Sequence, residues 1–100
     1  MDLTIEKSGA ATVFRIQTAR VTYPLLPALV GKTKEEVGKG ARNLILDLTA
    51  VSYIDSATIG CVMDIHRLAG ENGGALHILA PQARVETMLS MAGVHKIIPI

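Results

Sequence analysis

Residues 43–74 read NLILDLTAVSYIDSATIGCVMDIHRLAGENGG, and they divide into a strand, a short connection and a helix. Residues 44–48 are a short apolar run with the length of a buried strand. Residues 57–68 are helix-forming and contain no proline over about three turns. The extended chain after residues 44–48 ends at Asp55–Ser56 and turns directly into this helix. Ser56 is therefore the expected N-cap, and its hydroxyl should accept a hydrogen bond from a first-turn N–H.

The start of this helix is also a suitable position for a phosphate group. Free backbone N–H groups and the helix dipole both favour negative charge at a helix N-terminus. Ser56 places a hydroxyl there, next to Asp55. We therefore take Ser56 as the main candidate functional residue.

The remaining chain alternates strands and helices around this segment, as judged from hydrophobic periodicity and from glycine and proline positions. The predicted elements are, in order, strands at residues 3–6 and 12–18 joined as a hairpin, a helix from Pro24 to about Lys39, a central strand at 43–49, the helix from Ala57 to about Gly70, a strand at 76–79, a helix starting at Pro81 and a final edge strand at 97–98. The central strand is apolar on both faces, which is typical of a sheet with helices packed on it.

This order, ββαβαβα(β), predicts an α/β fold with a mixed four- to five-stranded sheet. A chain of 100 residues is long enough to bury one core and too short for two. We therefore expect residues 1–100 to form a single domain.

Composition excludes several classes of function. Ten basic and nine acidic residues give a net charge of +1, and the basic residues are scattered, so nucleic-acid binding is not expected. No apolar run approaches the roughly 18 residues that span a bilayer, so membrane insertion is not expected either. The single cysteine, Cys61, cannot form an internal disulfide, and the first residues do not resemble a signal peptide. We expect a cytoplasmic location.

Catalytic and cofactor motifs are incomplete. Gly31–Lys32–Thr33 resembles the end of a P-loop, but Leu26 occupies the position of the required first glycine. Ser56 lacks the Gly-x-Ser-x-Gly frame of a nucleophile elbow. The three histidines lie on separate elements without metal-ligand spacing. We therefore predict no catalytic residues, no metal and no cofactor, and a protein that is not an enzyme.

Residues 44–48 (LILDL), 51–56 (VSYIDS) and Gly60 together resemble the STAS domain family, in particular its anti-sigma factor antagonists. Residues 91–98 (MAGVHKII) resemble the end of that family's third helix and the strand after it. The resemblance implies a bacterial regulator of transcription that acts by protein–protein interaction and carries Ser56 as the phosphoacceptor. It also implies an anti-sigma factor with serine kinase activity as the partner, and a serine phosphatase that resets the cycle.

Helical angles indicate where such a partner would bind. At 100° per residue one broad apolar arc should face the sheet, comprising Ala57, Cys61, Val62, Ile65, Leu68 and Ala69. Ile59 and Met63 fall outside this arc, and we expect them to be exposed. They could instead pack under a neighbouring loop. The predicted partner-binding residues are Asp55, Ser56, Ile59, Gly60, Met63 and Arg67.

The chain departs from the family pattern after the second strand. The family usually has a Gly-Glu-apolar-Asp turn there, whereas residues 19–22 read ARVT, so Arg20 replaces the glutamate. Thr58 also replaces a glycine of the family. These departures keep open a non-switching STAS scaffold subunit of a lipid-transport or other multi-protein complex. A small enzyme or nucleotide-binding protein is a third, weaker alternative.

Overall fold

The computed structural model describes residues 2–100; Met1, the first residue of the predicted domain, lies outside them. The elements are β1 (Leu3–Ser8), β2 (Ala11–Ile16), β3 (Arg20–Val21), a 3-10 turn (Tyr23–Leu25), α1 (Leu26–Gly38), β4 (Asn43–Asp47), β5 (Tyr53–Ile54), α2 (Ser56–Glu71), β6 (Ala75–Leu79), α3 (Ala83–Met91) and a second 3-10 turn (Val94–Lys96). The predicted α/β class and order of the main elements are confirmed.

The main sheet has four strands in the order β1-β2-β4-β6. The hairpin pair β1–β2 is antiparallel, whereas β2–β4 and β4–β6 are parallel. Parallel neighbours need a crossover connection, and α1 and α2 provide the two that this sheet requires. The sheet is therefore mixed, as predicted. The strands β3 and β5 form a separate two-stranded parallel ribbon.

One face of the sheet forms the core. The register aligns alternate residues of adjacent strands across this face, for example Phe14 beside Leu46 and Leu46 beside Ile78. Each of these three side chains is at most 3% exposed. The opposite face carries a polar row in which Arg15 bonds both Asp47 and Glu6 at 3.0 Å. Helices and the small ribbon thus lie over the apolar face.

The prediction of a final edge strand at residues 97–98 is wrong. The chain forms the 3-10 turn Val94–Lys96 after Gly93, which has a left-handed φ of 76°. Only one backbone bond follows along the edge of β6, from the N–H of Ile78 to the carbonyl of Pro99 at 2.9 Å. Pro99 has no N–H to donate in return, so a ladder cannot propagate there.

The predicted start of the third helix at Pro81 is two residues early. Gln82 is the N-cap and the helix begins at Ala83. Val85 and Leu89 are fully buried and hold the helix against the core. Ala92 lies beyond the helix end and is exposed.

A close approach between two connections limits side-chain size at Gly74. A Cβ at this position would lie 2.1 Å from the carbonyl oxygen of Arg42. That oxygen also accepts a hydrogen bond from the N–H of Ala75, which holds the start of β6 beside β4. We expect Gly74→Ala to lower the free energy of unfolding by roughly 1–3 kcal/mol through overpacking. Urea denaturation monitored by circular dichroism measures this.

The matched control is Gly31→Ala, inside α1, where a Cβ meets nothing within 4 Å. It should raise the free energy of unfolding by up to about 1 kcal/mol, since alanine favours helix over glycine. Equal effects of the two substitutions would contradict the steric explanation.

Candidate functional site

The connection from β4 to α2 is held in place at both ends. After β4, the carboxylate of Asp47 accepts hydrogen bonds from the N–H of Thr49 at 2.9 Å and from its hydroxyl at 2.6 Å. Burial acts to raise the pKa of Asp47, but the bonds from Thr49 and Arg15 outweigh it and hold the pKa below its usual range. An ionised Asp47 therefore anchors the turn that leads toward the site.

The small ribbon brings residues 19–23 next to residues 52–55. Arg20 pairs with Tyr53, and Val21 pairs with Ile54. The carbonyl of Ala19 accepts from the N–H of Ser52 at 2.8 Å and from the N–H of Tyr53 at 3.2 Å. Two segments more than 30 residues apart in the sequence are thereby fixed side by side at the start of α2.

The N-cap of α2 is Asp55, so the prediction that Ser56 caps this helix is wrong. The Asp55 carboxylate accepts from the N–H of Thr58 at 2.8 Å. Its second oxygen accepts from the N–H of Tyr23 at 2.9 Å. Asp and Ser are comparably good N-caps, and here the residue one position earlier has the geometry that reaches the third amide of the helix.

Asp55 therefore joins the helix start to the segment that precedes α1. The Thr58 hydroxyl lies 2.6 Å from the Asp55 carboxylate and 2.9 Å from the carbonyl oxygen of Val21, so its one proton can serve either. The hydrogen bond from the Thr58 hydroxyl, followed by the backbone N–H groups of Thr58 and Tyr23, lowers the pKa of Asp55. The carboxylate is ionised at neutral pH.

Ser56 is left as the first residue of α2 with an exposed side chain. Its hydroxyl makes no hydrogen bond with any side chain or backbone group of residues 2–100. Because Asp55 performs the capping, the hydroxyl that a capping serine would commit to the helix is available to solvent. The structure thus places the candidate residue at the surface.

The predicted partner-binding residues lie on one side of α2. Ser56, Gly60 and Arg67 are exposed, and all five positions from Ser56 to Arg67 fall within about 100° of helical arc. Ile59 and Met63 are not the freely exposed pair that we expected: both are half-buried and pack against the core cluster. Arg67 forms an ion pair with Asp64 one turn earlier.

The buried arc of α2 is largely as predicted, except that Thr58 and not Ala57 belongs to it. Cys61, Val62, Ile65 and Ala69 are buried, and Leu68 is half-buried. Ala57 was placed on this arc wrongly, since it is exposed.

Thr58 occupies the centre of the arc instead and is 4% exposed. Sequence reasoning missed it because its hydroxyl is polar, and burial is permitted here because that hydroxyl has partners.

Cys61 is a core residue. Burial, with a smaller contribution from Asp64, raises the pKa of its thiol to about 11. The thiol therefore stays protonated at neutral pH and is a poor nucleophile. Within residues 2–100 no group of three or more His, Cys, Asp or Glu side chains is arranged to hold a metal ion.

None of the helices in the described part of the chain has both the length and the apolar character needed to cross a bilayer. The segment that resembled a P-loop lies inside α1, where the buried Thr33 hydroxyl donates to the carbonyl of Leu29 at 2.8 Å. Thr33 is committed to the helix and is unavailable to a phosphate.

A shallow apolar groove lies between the N-terminal halves of α1 and α2, and its lining includes Ala57, the residue after Ser56. Its volume is about 480 Å³, and its rim includes Tyr23, whose side chain is 69% exposed. Ala57 and Gly60 line the α2 side. The serine and an apolar depression therefore share one surface.

Sequence reasoning also missed a cluster around Tyr53. The guanidinium of Arg20 lies 4.3 Å from the centroid of the Tyr53 ring, and that of Arg84 lies 5.5 Å from it. Arg20 was noticeable only as a departure from a family pattern. Nothing in the sequence indicated that Arg84, on α3, would lie beside Tyr53.

The family model for the STAS domain matches residues 2–100. The chain belongs to the STAS domain family. A relative from Thermotoga neapolitana, named as a candidate anti-sigma factor antagonist, is 32% identical to this STAS domain over 66 residues. That alignment covers 66% of this chain and 58% of the relative, so it spans little more than half of the relative's length.

Solved structures share the fold of this STAS domain. The anti-sigma factor antagonist SpoIIAA in its unphosphorylated form matches with a TM-score of 0.84 and 18% identity, covering 97% of this chain and 85% of that one. The Bacillus cell fate determinant SpoIIAA in its phosphorylated form matches with a TM-score of 0.75 and 17% identity, covering 97% and 88%. At these identities the likeness shows the fold alone.

The stability of this STAS domain should fall in acid through Asp55. Because the pKa of Asp55 is lower in the folded than in the unfolded chain, its contribution is complete above about pH 4 and is lost as the pH falls through the folded pKa. Asp55→Ala should be less stable than the natural chain at pH 7, and the difference should shrink below about pH 3. Urea titrations from pH 7 to pH 2.5 measure it.

Asp55→Asn separates the two roles of this side chain. The amide oxygen still caps Thr58, but the amide nitrogen cannot accept from the N–H of Tyr23. Helix content should persist while hydrogen exchange at the Tyr23 amide accelerates. Unchanged exchange at Tyr23 in this variant would show that the bond to Asp55 does not protect that amide.

Proposed function

We propose that this STAS domain is an anti-sigma factor antagonist whose binding to its partner is controlled by phosphorylation of Ser56. The partner is an anti-sigma factor with serine kinase activity, and a serine phosphatase reverses the modification. The unmodified chain binds the anti-sigma factor, and the phosphorylated chain releases it. The protein acts in the cytoplasm by binding, not by catalysis.

The observation that carries this proposal is the exposed and unbonded hydroxyl of Ser56. A kinase must reach a serine side chain from solvent and place its oxygen against the transferred phosphoryl group. A serine that capped its own helix would have to break that bond first. Asp55 removes this obstacle because it supplies the cap.

The electrostatics at the start of α2 are compatible with a phosphate that is reversibly added and removed. A phosphoserine adds about −1.5 to −2 charges at neutral pH. The N–H groups of Ser56 and Ala57 have no helical acceptor, since they belong to the first turn, and the helix dipole favours negative charge there. Asp55 opposes the phosphate from one residue away. The helix can hold the modified side chain, whereas a partner packed against Gly60 and the adjacent groove would meet an added charge.

Family membership and the relatives support this proposal. The Thermotoga relative is named as a candidate anti-sigma factor antagonist, and a protein of the same fold, SpoIIAA, has been solved in a phosphorylated form. The geometry of this chain supports the choice of site residues, because Ser56, Ile59, Gly60, Met63 and Arg67 share one side of α2 and Asp55 precedes Ser56 as the N-cap.

Incubation with a serine kinase of the anti-sigma factor type and ATP should place one phosphate on Ser56, detected by mass spectrometry. Ser56→Ala should remain unmodified and bound, and Ser56→Asp should bind the anti-sigma factor more weakly. The control is Ser52→Ala, which removes another exposed serine, whose hydroxyl lies 3.2 Å from the carbonyl of Ala19, and should leave modification unchanged. A Ser56→Asp variant that binds as tightly as the natural chain would contradict the switch.

The docking face can be tested without touching Ser56. A Cβ at Gly60 meets nothing within 4 Å, so Gly60→Arg should leave the fold intact while filling the surface beside Ser56. Binding to the anti-sigma factor should be lost, as measured by calorimetry. Gly70→Arg is the matched control, on the same helix with equal free space and about 15 Å farther along. Equal binding by the Gly60→Arg and Gly70→Arg variants would show that the partner does not bind the side of α2 that carries Ser56 and Gly60.

A non-switching scaffold subunit is a second candidate, favoured by the basic residue Arg20 in the turn where the family usually carries acidic ones. The two candidates differ in two measurable respects. A scaffold subunit binds its partner complex equally well with or without phosphate on Ser56, and it copurifies with an ATPase subunit instead of a kinase.

A further inference from the structure

Arg20 and Arg84 differ from the other arginines of this chain. Arg15 and Arg67 form ion pairs with carboxylates, and Arg42 donates to backbone carbonyls. Arg20 and Arg84 make no ion pair and no side-chain hydrogen bond within residues 2–100. Both are exposed, and both lie against the ring of Tyr53.

Three separate elements assemble this cluster. Arg20 is on β3, where the ribbon register sets it beside Tyr53 of β5. Arg84 is in the first turn of α3. The start of this helix is held by a hydrogen bond from the side-chain Nε2 of Gln82 to the carbonyl of Thr49 at 2.9 Å. The fold therefore fixes the backbone positions from which both guanidinium groups reach Tyr53.

The N–H donors of Arg20 and Arg84 have no carboxylate or side-chain partner within residues 2–100. A guanidinium carries five such donors in a planar fork, and a carboxylate can accept two parallel bonds from it. Two forks beside one tyrosine therefore match a segment that carries several carboxylates. Glu86 in the same turn of α3 points about 200° away from Arg84 and does not neutralise it.

We propose that Arg20, Tyr53 and Arg84 form a docking surface for an acidic segment of a partner protein. The proposal rests on the proposed function, since that partner is the one whose binding Ser56 controls. Ser56 is three residues after Tyr53, so its Cα lies at most about 11 Å from that of Tyr53. One partner surface can therefore cover both.

This placement makes the electrostatic potential of the cluster depend on whether Ser56 carries a phosphate. The bound of about 11 Å between the Cα atoms of Ser56 and Tyr53 is comparable with the Debye length of about 8 Å at physiological salt, so a phosphate on Ser56 reduces the positive potential around the two arginines. An acidic partner segment then meets a neutral or negative surface where it met a positive one. Release follows from the change of charge.

The first experiment needs no natural partner. An octaglutamate peptide is titrated into the nitrogen-labelled full chain at low salt, and the Nε–H signals of Arg20 and Arg84 are followed by NMR. We expect saturable shifts centred on these signals and on Tyr53, absent for octalysine, absent at 0.5 M salt and lost in Arg20→Gln/Arg84→Gln. Equal shifts at Lys32 and Lys96, or tighter binding of an oligothymidine, would overturn the assignment to an acidic protein segment.

The second experiment uses the anti-sigma factor and measures association by stopped flow. Arg20→Gln/Arg84→Gln should associate roughly tenfold more slowly at low salt, with a weaker salt dependence, than the natural chain. Arg20→Lys/Arg84→Lys retains the charge and should recover most of the rate, but not the slow dissociation that paired arginine bonds give. Lys32→Gln is the control.

The outcomes for the two proposals are distinct. If the anti-sigma factor binds equally well to all variants, the docking surface is refuted and the proposed function stands. If no anti-sigma factor binds while octaglutamate still shifts Arg20 and Arg84, the acidic specificity stands with another partner.

Discussion

A single carboxylate organises the candidate functional site of this molecule. Asp55 accepts from the N–H of Thr58 in α2 and from the N–H of Tyr23, which is 32 residues earlier in the chain. The first bond completes the helix start, and the second fixes the segment before α1 against it. If the acceptor for Thr58 were missing, Ser56 would be the nearest alternative cap, and its hydroxyl would be drawn into the helix instead of facing solvent.

The sheet explains why the important residues meet although they are far apart in sequence. The connections that follow β2, β4 and β6 all leave from the same edge, because these three strands are parallel. Arg20 follows β2, Tyr53 and Ser56 follow β4, and Arg84 follows β6. Binding sites of α/β folds commonly form outside the carboxyl ends of parallel strands, where such connections converge. This domain uses that edge to present a surface and not a cleft.

How far the sequence predicts this structure depends on the range of the interactions involved. The element order and the buried residues Cys61, Val62 and Ile65 were predictable because periodicity is a local property. The choice of Asp55 over Ser56 as the cap was not, since both types rank alike and the bond to Tyr23 is long-range.

Two further differences have the same origin in tertiary structure. The predicted apolar arc of α2 omits Thr58, because the partner that satisfies its hydroxyl, the carbonyl of Val21, belongs to another element. Ile59 and Met63 were expected to be exposed from helical angle alone, yet both pack at the margin of the core. The angular position on a helix predicts the direction in which a side chain points. The exposed fraction of that side chain depends on the segments that pack beside the helix, which the helical angle does not reveal.

Thr58 has one hydroxyl proton and two oxygen atoms within reach, on Asp55 and on Val21. Rotation about a single bond can therefore redirect that proton when the negative charge at the helix start changes, and no peptide unit has to shift. The domain can keep its outline while its electrical character alters. Under the proposed phosphorylation of Ser56, a partner would therefore distinguish two forms of the same shape by their electrostatic potential.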